Sequence, residues 1–357
     1  MLTSTELGAF LIVFVLSFSL TLSLTPLMIY FGKRWGVVAK AGGRRQSHVD
    51  IHQVSKLGGV AIFVGFIVTI IFAQYLNIPR FDSNEVTRLV GLILGGTLIF
   101  VIGMIDDVVE LNPVQLAIVQ IIVAVIAVAF QIFIENFNNP FTGQQTDNFP
   151  FVVTVILSMF WLGLMMNTVN FMDGLDGLAG GVAFIAGTML FVNSAFILSP
   201  AQLSVSLLPL ALMGSSLGFL FYNFYPAKII MGGGAYFLGY TLGTLSIIGG
   251  AKMATILLVM GLPLMDLTWQ VVNRLRRGRN PMQGDRGHIH FRLQDVGFGQ
   301  RQIVFVYYLF CAFFGVLTLV TTSQLFKFVA FGMMILLIVL AFLWLIRLDQ
   351  TESSTSS

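Results

Sequence analysis

Charged residues are scarce in this chain, and their scarcity indicates its class. Only 10% of the 357 residues are Asp, Glu, Lys or Arg, whereas 57% are hydrophobic and the mean hydropathy is +0.90. Soluble domains are roughly half apolar and about a quarter charged. No hydrophilic stretch is long enough to form a soluble domain, so the composition predicts a single polytopic membrane domain.

Other absences narrow the choice further. The chain has one cysteine, Cys311, so an intramolecular disulfide and a thiol metal site are excluded. The first apolar run, near Leu7, lacks a basic segment and a small-residue cleavage site, and we interpret it as a retained span. No internal repeat is evident, which weighs against transporters built from duplicated halves. The net charge of +3 is not accompanied by a basic-aromatic stripe, so no nucleic-acid partner is predicted.

Long apolar runs predict an all-α polytopic helical bundle. A span needs roughly 20 apolar residues, and eleven candidates start near residues 7, 55, 86, 113, 150, 176, 202, 234, 252, 303 and 325. With eleven spans, the Lys and Arg residues divide fifteen to four between the two sides, and the smaller set is Arg80, Arg88, Lys252 and Lys327. Because Lys and Arg accumulate in cytoplasmic loops, the N-terminus is predicted outside and the C-terminus in the cytoplasm.

This topology defines the predicted domain organisation. Residues 1–348 form a single integral-membrane domain with cytoplasmic loops at 32–56, 106–112, 169–176, 223–233 and 273–302. Residues 349–357 have the composition of a disordered cytoplasmic tail.

A pair of adjacent acids closes one apolar run. Asp106 and Asp107 are followed by Asn112-Pro113, which predicts a helix N-cap with proline at the first helical position. Two neighbouring carboxylates repel each other unless a cation or a proton relieves them. The pair therefore indicates a divalent metal or proton transfer, and two solvated loop acids are the alternative.

A second acidic cluster lies in NFMDGLDGLAGG, residues 170–181. We expect Asn170, Asp173 and Asp176 to share one helical face, because residues three apart are neighbours on a helix. Ionisable groups at span ends are usually functional. Oxygen ligands favour Mg²⁺ over zinc, while the intervening glycines also suit plain helix packing.

Three further segments carry candidate residues. In GDRGHIHFRL, alternation places Arg286, His288, His290 and Arg292 on one face of an extended segment, as suits a diphosphate; a zinc pair and a solvated basic loop are the alternatives. In the segment 223–240, Asn223 and Lys228 precede a three-glycine run whose backbone N–H groups could hold phosphate. Asp266, inside an apolar run, needs a partner, for which Arg274 is the nearest candidate.

Taken in order, these motifs resemble the polyprenyl-phosphate N-acetylhexosamine-1-phosphate transferases, in particular the WecA and TagO branch and more distantly MraY. The motifs are SKLGGVAIF, the IDD turn, NTVNFMDGLDGLAGG, NFYPAKIIMG and DRGHIHFRL. The resemblance implies a cytoplasmic-membrane enzyme that joins a UDP-activated amino sugar, such as GlcNAc, to undecaprenyl or another polyprenyl phosphate. It further implies Mg²⁺, or Mn²⁺ in its place, release of UMP, and the first membrane step of cell-envelope glycan assembly; a homodimer is compatible with it.

The resemblance also implies roles for individual residues. Asp106, Asp107, Asp173 and Asp176 would be catalytic, and three of them, Asp107, Asp173 and Asp176, would hold the metal. The substrates would contact a larger set, consisting of Lys56, Asn170, Asn223, Lys228, Arg286, His288, His290 and Arg292. Within this set, the two histidines and Arg292 would hold the diphosphate.

The sequence departs from the family pattern in three places. The family usually carries MGD with a metal-binding aspartate, whereas this chain has MGGG at residues 231–234. Phe291 replaces the last histidine of HIHH, and Ser55-Lys56 stands where Pro-Arg is common. The missing aspartate favours one alternative to an active transferase, a catalytically impaired family member that binds only lipid or nucleotide. The second alternative is an ion-coupled membrane transporter that uses the buried carboxylates.

Overall fold

The protein is a helical bundle. A computed structural model describes residues 3–39, 54–248, 253–278, 288–321 and 323–355. Apart from three isolated β-bridges, all regular secondary structure in these residues is helical. The predicted all-α class is thereby confirmed.

Thirteen α-helices are present in the described residues. In chain order they are α1 (Ser4–Trp35), α2 (Gly58–Ala73), α3 (Glu85–Val109), α4 (Pro113–Ala129), α5 (Phe151–Met172), α6 (Leu178–Val192), α7 (Leu203–Asn223), α8 (Gly234–Ile247), α9 (Met253–Val259), α10 (Gly261–Arg276), α11 (Ile289–Asp295), α12 (Gln300–Val320) and α13 (Gln324–Thr355). A short π-helix, Asn193–Ile197, extends α6.

Seven helices of the described part are long and apolar enough to cross a membrane, or eight if α9 and α10 together form one span bent by 74°. The helices α2 and α4 are apolar but shorter. Each of the eleven predicted runs begins near the start of a helix, but eleven spans are not confirmed. The apolar runs thus located the helices correctly. The sides of the membrane on which the two termini lie remain predictions.

Local signals account for several helix ends. Thr3 and Glu6 form a capping box at the start of α1, and Gly36 ends that helix in the left-handed conformation. As predicted, Asn112 caps α4, with Pro113 at the first helical position. These side chains satisfy backbone N–H groups that have no partner within the helix.

The last helix differs from the prediction. Residues 349–357 were expected to form a disordered tail, yet α13 continues to Thr355. Once a helix has formed, each added residue contributes one hydrogen bond without a new nucleation cost. A polar composition alone therefore does not end this helix.

The helix α8 lies at the centre of the bundle and positions one wall of the site. Every residue from Gly234 to Ser246 is buried. Tyr240 donates a hydrogen bond of 2.9 Å to the Gly91 carbonyl of α3, and Phe237 packs against Phe63 and Phe100. The start of α8 is thereby held close to the acidic end of α3.

Candidate active site

A cavity of about 1010 Å³ lies between α3, α4, α5 and α10 at one end of the bundle. Six of the predicted site residues line its polar part, namely Lys56, Asp106, Asp107, Asn170, Asp173 and His288. The remaining wall is largely apolar and includes Leu116, Phe160, Leu164, Leu267, Val271 and Val272. Both acidic clusters therefore face one cavity, although about 60 residues separate them in the sequence.

Two distant parts of the chain hold the Asp107 carboxylate. Its Oδ2 accepts a 2.7 Å hydrogen bond from the Gly233 N–H, and its Oδ1 lies 3.7 Å from Lys56 Nζ. Asp106 and Asp173 are within electrostatic range of the same carboxylate. Asp106 also accepts the Leu111 N–H at 2.9 Å, which fixes the turn after α3. The paired acids are thus oriented residues of a cavity wall.

The glycine run before α8 is packed against the acidic turn. Gly232 has φ +61°, and a Cβ there would lie 2.4 Å from Asp107 Oδ2. A Cβ on Gly233 would lie 1.9 Å from the Gly103 carbonyl oxygen. The position at which the family pattern has an aspartate is therefore occupied by closely packed backbone, and its N–H group binds Asp107 instead of lying free for a phosphate.

The turn between α5 and α6 corrects one prediction. Asn170 lies in the last turn of α5, but the helix ends at Met172, and Asp173 is its C-cap. Gly177, at φ +82°, then starts α6. The three polar residues consequently do not share a helical face, because the glycine-containing turn redirects the chain between Asp173 and Asp176.

Asp176 and Asn223 connect this turn to the loop after α7. The Oδ2 atom of Asp176 accepts the Ala227 N–H at 3.0 Å, and the Asp176 side chain is buried. Asn223 accepts the Gly177 N–H at 3.0 Å and donates to the Ile229 carbonyl at 2.8 Å. Neither residue lines the cavity. Their predicted metal and substrate contacts, like that of the exposed Lys228, remain predictions.

The histidine segment is also folded differently from the prediction. His288 is the N-cap of α11, and His290 and Arg292 lie on that short helix, so the expected extended segment is wrong. At the start of this helix, the Ile289 N–H donates to Asp266 Oδ1 at 2.9 Å. Arg286 lies outside the described residues.

The two imidazoles share the Asp266 carboxylate. His288 Nδ1 lies 3.1 Å and His290 Nδ1 3.8 Å from Asp266 Oδ2, and the two rings stack with centroids 5.5 Å apart. Burial lowers the pKa of His290 from 6.5 to about 4, which outweighs the opposing effect of Asp266. His290 is consequently neutral near pH 7. Asp266 thus contacts the histidine segment, whereas the sequence suggested Arg274.

Sequence reasoning missed two amides in the cavity wall. Gln120 of α4 and Asn167 of α5 exchange hydrogen bonds of 2.8 and 3.3 Å, and both line the cavity. Gln120 is a polar residue inside an apolar run, and Asn167 precedes Asn170 by one helical turn. Those two features were the available signals, since polar groups within spans are costly unless they have partners.

Several named transferases are similar to this chain. It is 29% identical over 323 residues to the Bacillus subtilis probable undecaprenyl-phosphate N-acetylglucosaminyl 1-phosphate transferase, covering 87% of this chain and 85% of that protein. It is 30% identical over 304 residues to the Mycolicibacterium smegmatis decaprenyl-phosphate N-acetylglucosaminephosphotransferase, covering 77% and 73%. The sequence pattern of glycosyl transferase family 4 matches residues 89–250. The chain belongs to glycosyl transferase family 4.

A further relative is named for the transfer of a different group. The chain is 30% identical over 314 residues to the Staphylococcus haemolyticus phospho-N-acetylmuramoyl-pentapeptide-transferase, covering 82% of this chain and 93% of that protein. The match to the family pattern includes Asp106, Asp107, Asn170, Asp173 and Asp176. Lys56 and the histidine segment lie outside it. The resemblance predicted from the motifs is thereby confirmed.

Proposed function

We propose that this chain transfers an N-acetylhexosamine-1-phosphate, with GlcNAc-1-phosphate the first candidate, from a UDP-sugar to undecaprenyl or another polyprenyl phosphate. The observation that carries this proposal is the cavity itself. Carboxylates, Lys56 and His288 line one part, and apolar helix surfaces line the rest. A nucleotide sugar and a lipid phosphate together need such a combination of polar and apolar walls. The relatives' names supply the reaction class.

The acids of the cavity support a divalent cation. Both substrates are anionic, and Asp106, Asp107 and Asp173 line the same polar part. No three side chains of the Asp, Glu, His and Cys types form a ready metal cluster within the described ranges. Mg²⁺ is commonly held by one or two carboxylates together with substrate phosphates, and Asp107 and Asp173 fit this mode. The cation would neutralise charge that develops on the transferred phosphoryl group.

The proposed reaction is a phosphoryl transfer. An oxygen of the lipid phosphate attacks the sugar-linked β-phosphorus, a new P–O bond forms, and the bond to UMP breaks. A phosphate monoester is mostly dianionic near neutral pH, so it needs alignment more than a strong base. Lys56 and the oriented acids would supply that alignment, with Arg286, His288, His290 and Arg292 as the predicted diphosphate contacts.

The test is turnover by the purified chain in detergent, with labelled UDP-GlcNAc, undecaprenyl phosphate and Mg²⁺. We expect a lipid-linked sugar diphosphate and an equal amount of UMP, both lost with EDTA and restored by Mg²⁺ or Mn²⁺. A panel of UDP-sugars identifies the amino sugar. Substrate binding without UMP release would favour the impaired family member, and ion flux without either would favour a transporter.

The cavity is proposed to open on the cytoplasmic face. Lys56 at the cavity precedes α2, and Tyr75 follows that helix about 24 Å away at 1.5 Å per residue. In intact cells, an impermeant maleimide should label Tyr75→Cys, whereas Trp35→Cys should react only after permeabilisation. Both positions are exposed, at 81% and 65%, and the native Cys311 is buried. The reverse labelling pattern would contradict the proposed face.

A further inference from the structure

Asp266 joins the histidine segment to the body of the bundle. It lies in α10, is 4% exposed, and uses each carboxylate oxygen for a different partner. Oδ1 accepts the Ile289 N–H at 2.9 Å, and Oδ2 lies 3.1 Å from His288 Nδ1. This residue lies outside the family pattern matched at 89–250. The contacts therefore give Asp266 control over both the start of α11 and the orientation of the His288 ring.

The carboxylate also determines which imidazole nitrogen carries the proton. An ionised carboxylate can only accept hydrogen bonds, so the proton of a neutral His288 lies on Nδ1. The Nε2 atom is then an acceptor. It is buried and has no hydrogen-bond partner among the described residues. A buried acceptor without a partner is costly, because it has lost its hydrogen bonds to water and gained none in return.

The surroundings of His288 indicate where a partner would come from. His288 and Phe171 both line the cavity, and their ring centroids are 4.9 Å apart. Because Nε2 is covered, a ligand in the cavity that offers an O–H or N–H group would satisfy it once the atoms that cover it move aside. A diphosphate oxygen would not, because it is itself only an acceptor.

We propose that Asp266 is a positioning residue that fixes His288 as a hydrogen-bond acceptor toward the cavity, where it receives a hydroxyl or N–H group of the nucleotide sugar. The identity of the ligand rests on the proposed function, whereas the tautomer does not. His288 would then bind a hydrogen-bond donor of the sugar or base. The sequence motif had instead suggested that it binds the diphosphate.

The decisive variant is Asp266→Asn. Its amide oxygen keeps the bond to the Ile289 N–H, but its NH₂ group faces His288 Nδ1 and requires the proton to move to Nε2. The chain has four histidines, so selective ¹⁵N-histidine labelling gives four imidazoles, which single His→Gln variants assign. We expect Nδ1–H on His288 in the unliganded wild type and Nε2–H in Asp266→Asn. The kcat/KM should fall by about 10- to 100-fold, as for other residues that orient a histidine.

Two further variants separate positioning from a general structural role. If Asp266 acts through His288, Asp266→Asn combined with His288→Gln should be no slower than His288→Gln alone. Tyr307→Phe is the matched control, because Tyr307 is buried within electrostatic range of Asp266 and its hydroxyl lacks a hydrogen-bond partner in the described part of the chain. That control should change neither the tautomer nor kcat/KM.

The wild-type spectrum alone can overturn the proposal. A His288 protonated on both nitrogens near pH 7.5, or on Nε2 only, would contradict it without any variant. Unchanged kcat/KM in a folded Asp266→Asn would also contradict it. The tautomer is measured without substrate. If the proposed transferase activity proves wrong, the tautomer can therefore still be tested, and failure of one proposal is distinguishable from failure of the other.

Discussion

Asp107→Asn is expected to lower kcat by about 10²- to 10³-fold, comparable to the loss of one preorganised electrostatic contact in other enzymes. The amide has nearly the same shape as the carboxylate, and its oxygen can still accept the Gly233 N–H that Asp107 accepts at 2.7 Å. The lost property is the negative charge beside Lys56 and the proposed cation. The variant should also need more Mg²⁺ for half-maximal turnover, measured as UMP release over a Mg²⁺ titration.

Asp82→Asn is the matched control for this change. Asp82 also pairs with a cation, Arg88, but it is partly exposed and does not line the cavity. Exposed ion pairs contribute only about 0–1 kcal/mol to stability, so activity should stay within about twofold of wild type. Full activity of a folded Asp107→Asn would remove Asp107 from the proposed mechanism.

Gly233→Ala is expected to have the second large effect, on folding as well as on turnover. The added Cβ would lie 1.9 Å from the Gly103 carbonyl oxygen and 2.1 Å from its carbon. Since both contacts are with backbone, α8 would have to move away from α3. We expect destabilisation by about 3 kcal/mol, seen as a lower melting temperature in detergent. Displacing the amide that orients Asp107 should lower turnover on the order of 10²-fold.

Gly332→Ala and Gly103→Ala complete this test. Gly332 lies within α13, and nothing lies within 4 Å of its added Cβ, so alanine should be neutral or slightly stabilising there. Gly103→Ala approaches the same contact from the other helix, with its Cβ 2.4 Å from the Gly233 carbonyl oxygen. It should reproduce the Gly233→Ala defect. A wild-type melting temperature in both Gly233→Ala and Gly103→Ala would show that the two backbones are not closely packed.

The close packing of Gly233 also explains why the missing aspartate cannot be judged from the sequence. The MGGG segment shows only that a carboxylate is absent. In the structure, the three glycines let the backbone approach Asp107, Gly103 and Gly59 more closely than a side chain would allow. Whether Asp107 and Asp173 suffice for the cation is what the Mg²⁺ titration measures.

Local patterns were sufficient for the helices and for the family. Apolar runs placed all eleven starts near helices, because intrahelical hydrogen bonds join residues four apart and apolar composition acts locally. The Asn112-Pro113 cap was predictable for the same reason. The number of membrane spans was not predictable from the apolar runs. The helix α2 and the bent α9–α10 pair are as apolar as true spans, but α2 is too short and α9 and α10 are separated by a bend.

The sequence by itself determined the membrane class, the helical architecture, the family and the set of polar residues from which a site could be built. Only the tertiary structure decided which of them meet. Asp107 is joined to Gly233 across 126 positions and Asp266 to Ile289 across 23, while Asp176 turns away to Ala227. The physical reason is that a glycine turn or a helix start sets the direction of a side chain, and contacts between distant segments depend on packing that no local pattern encodes.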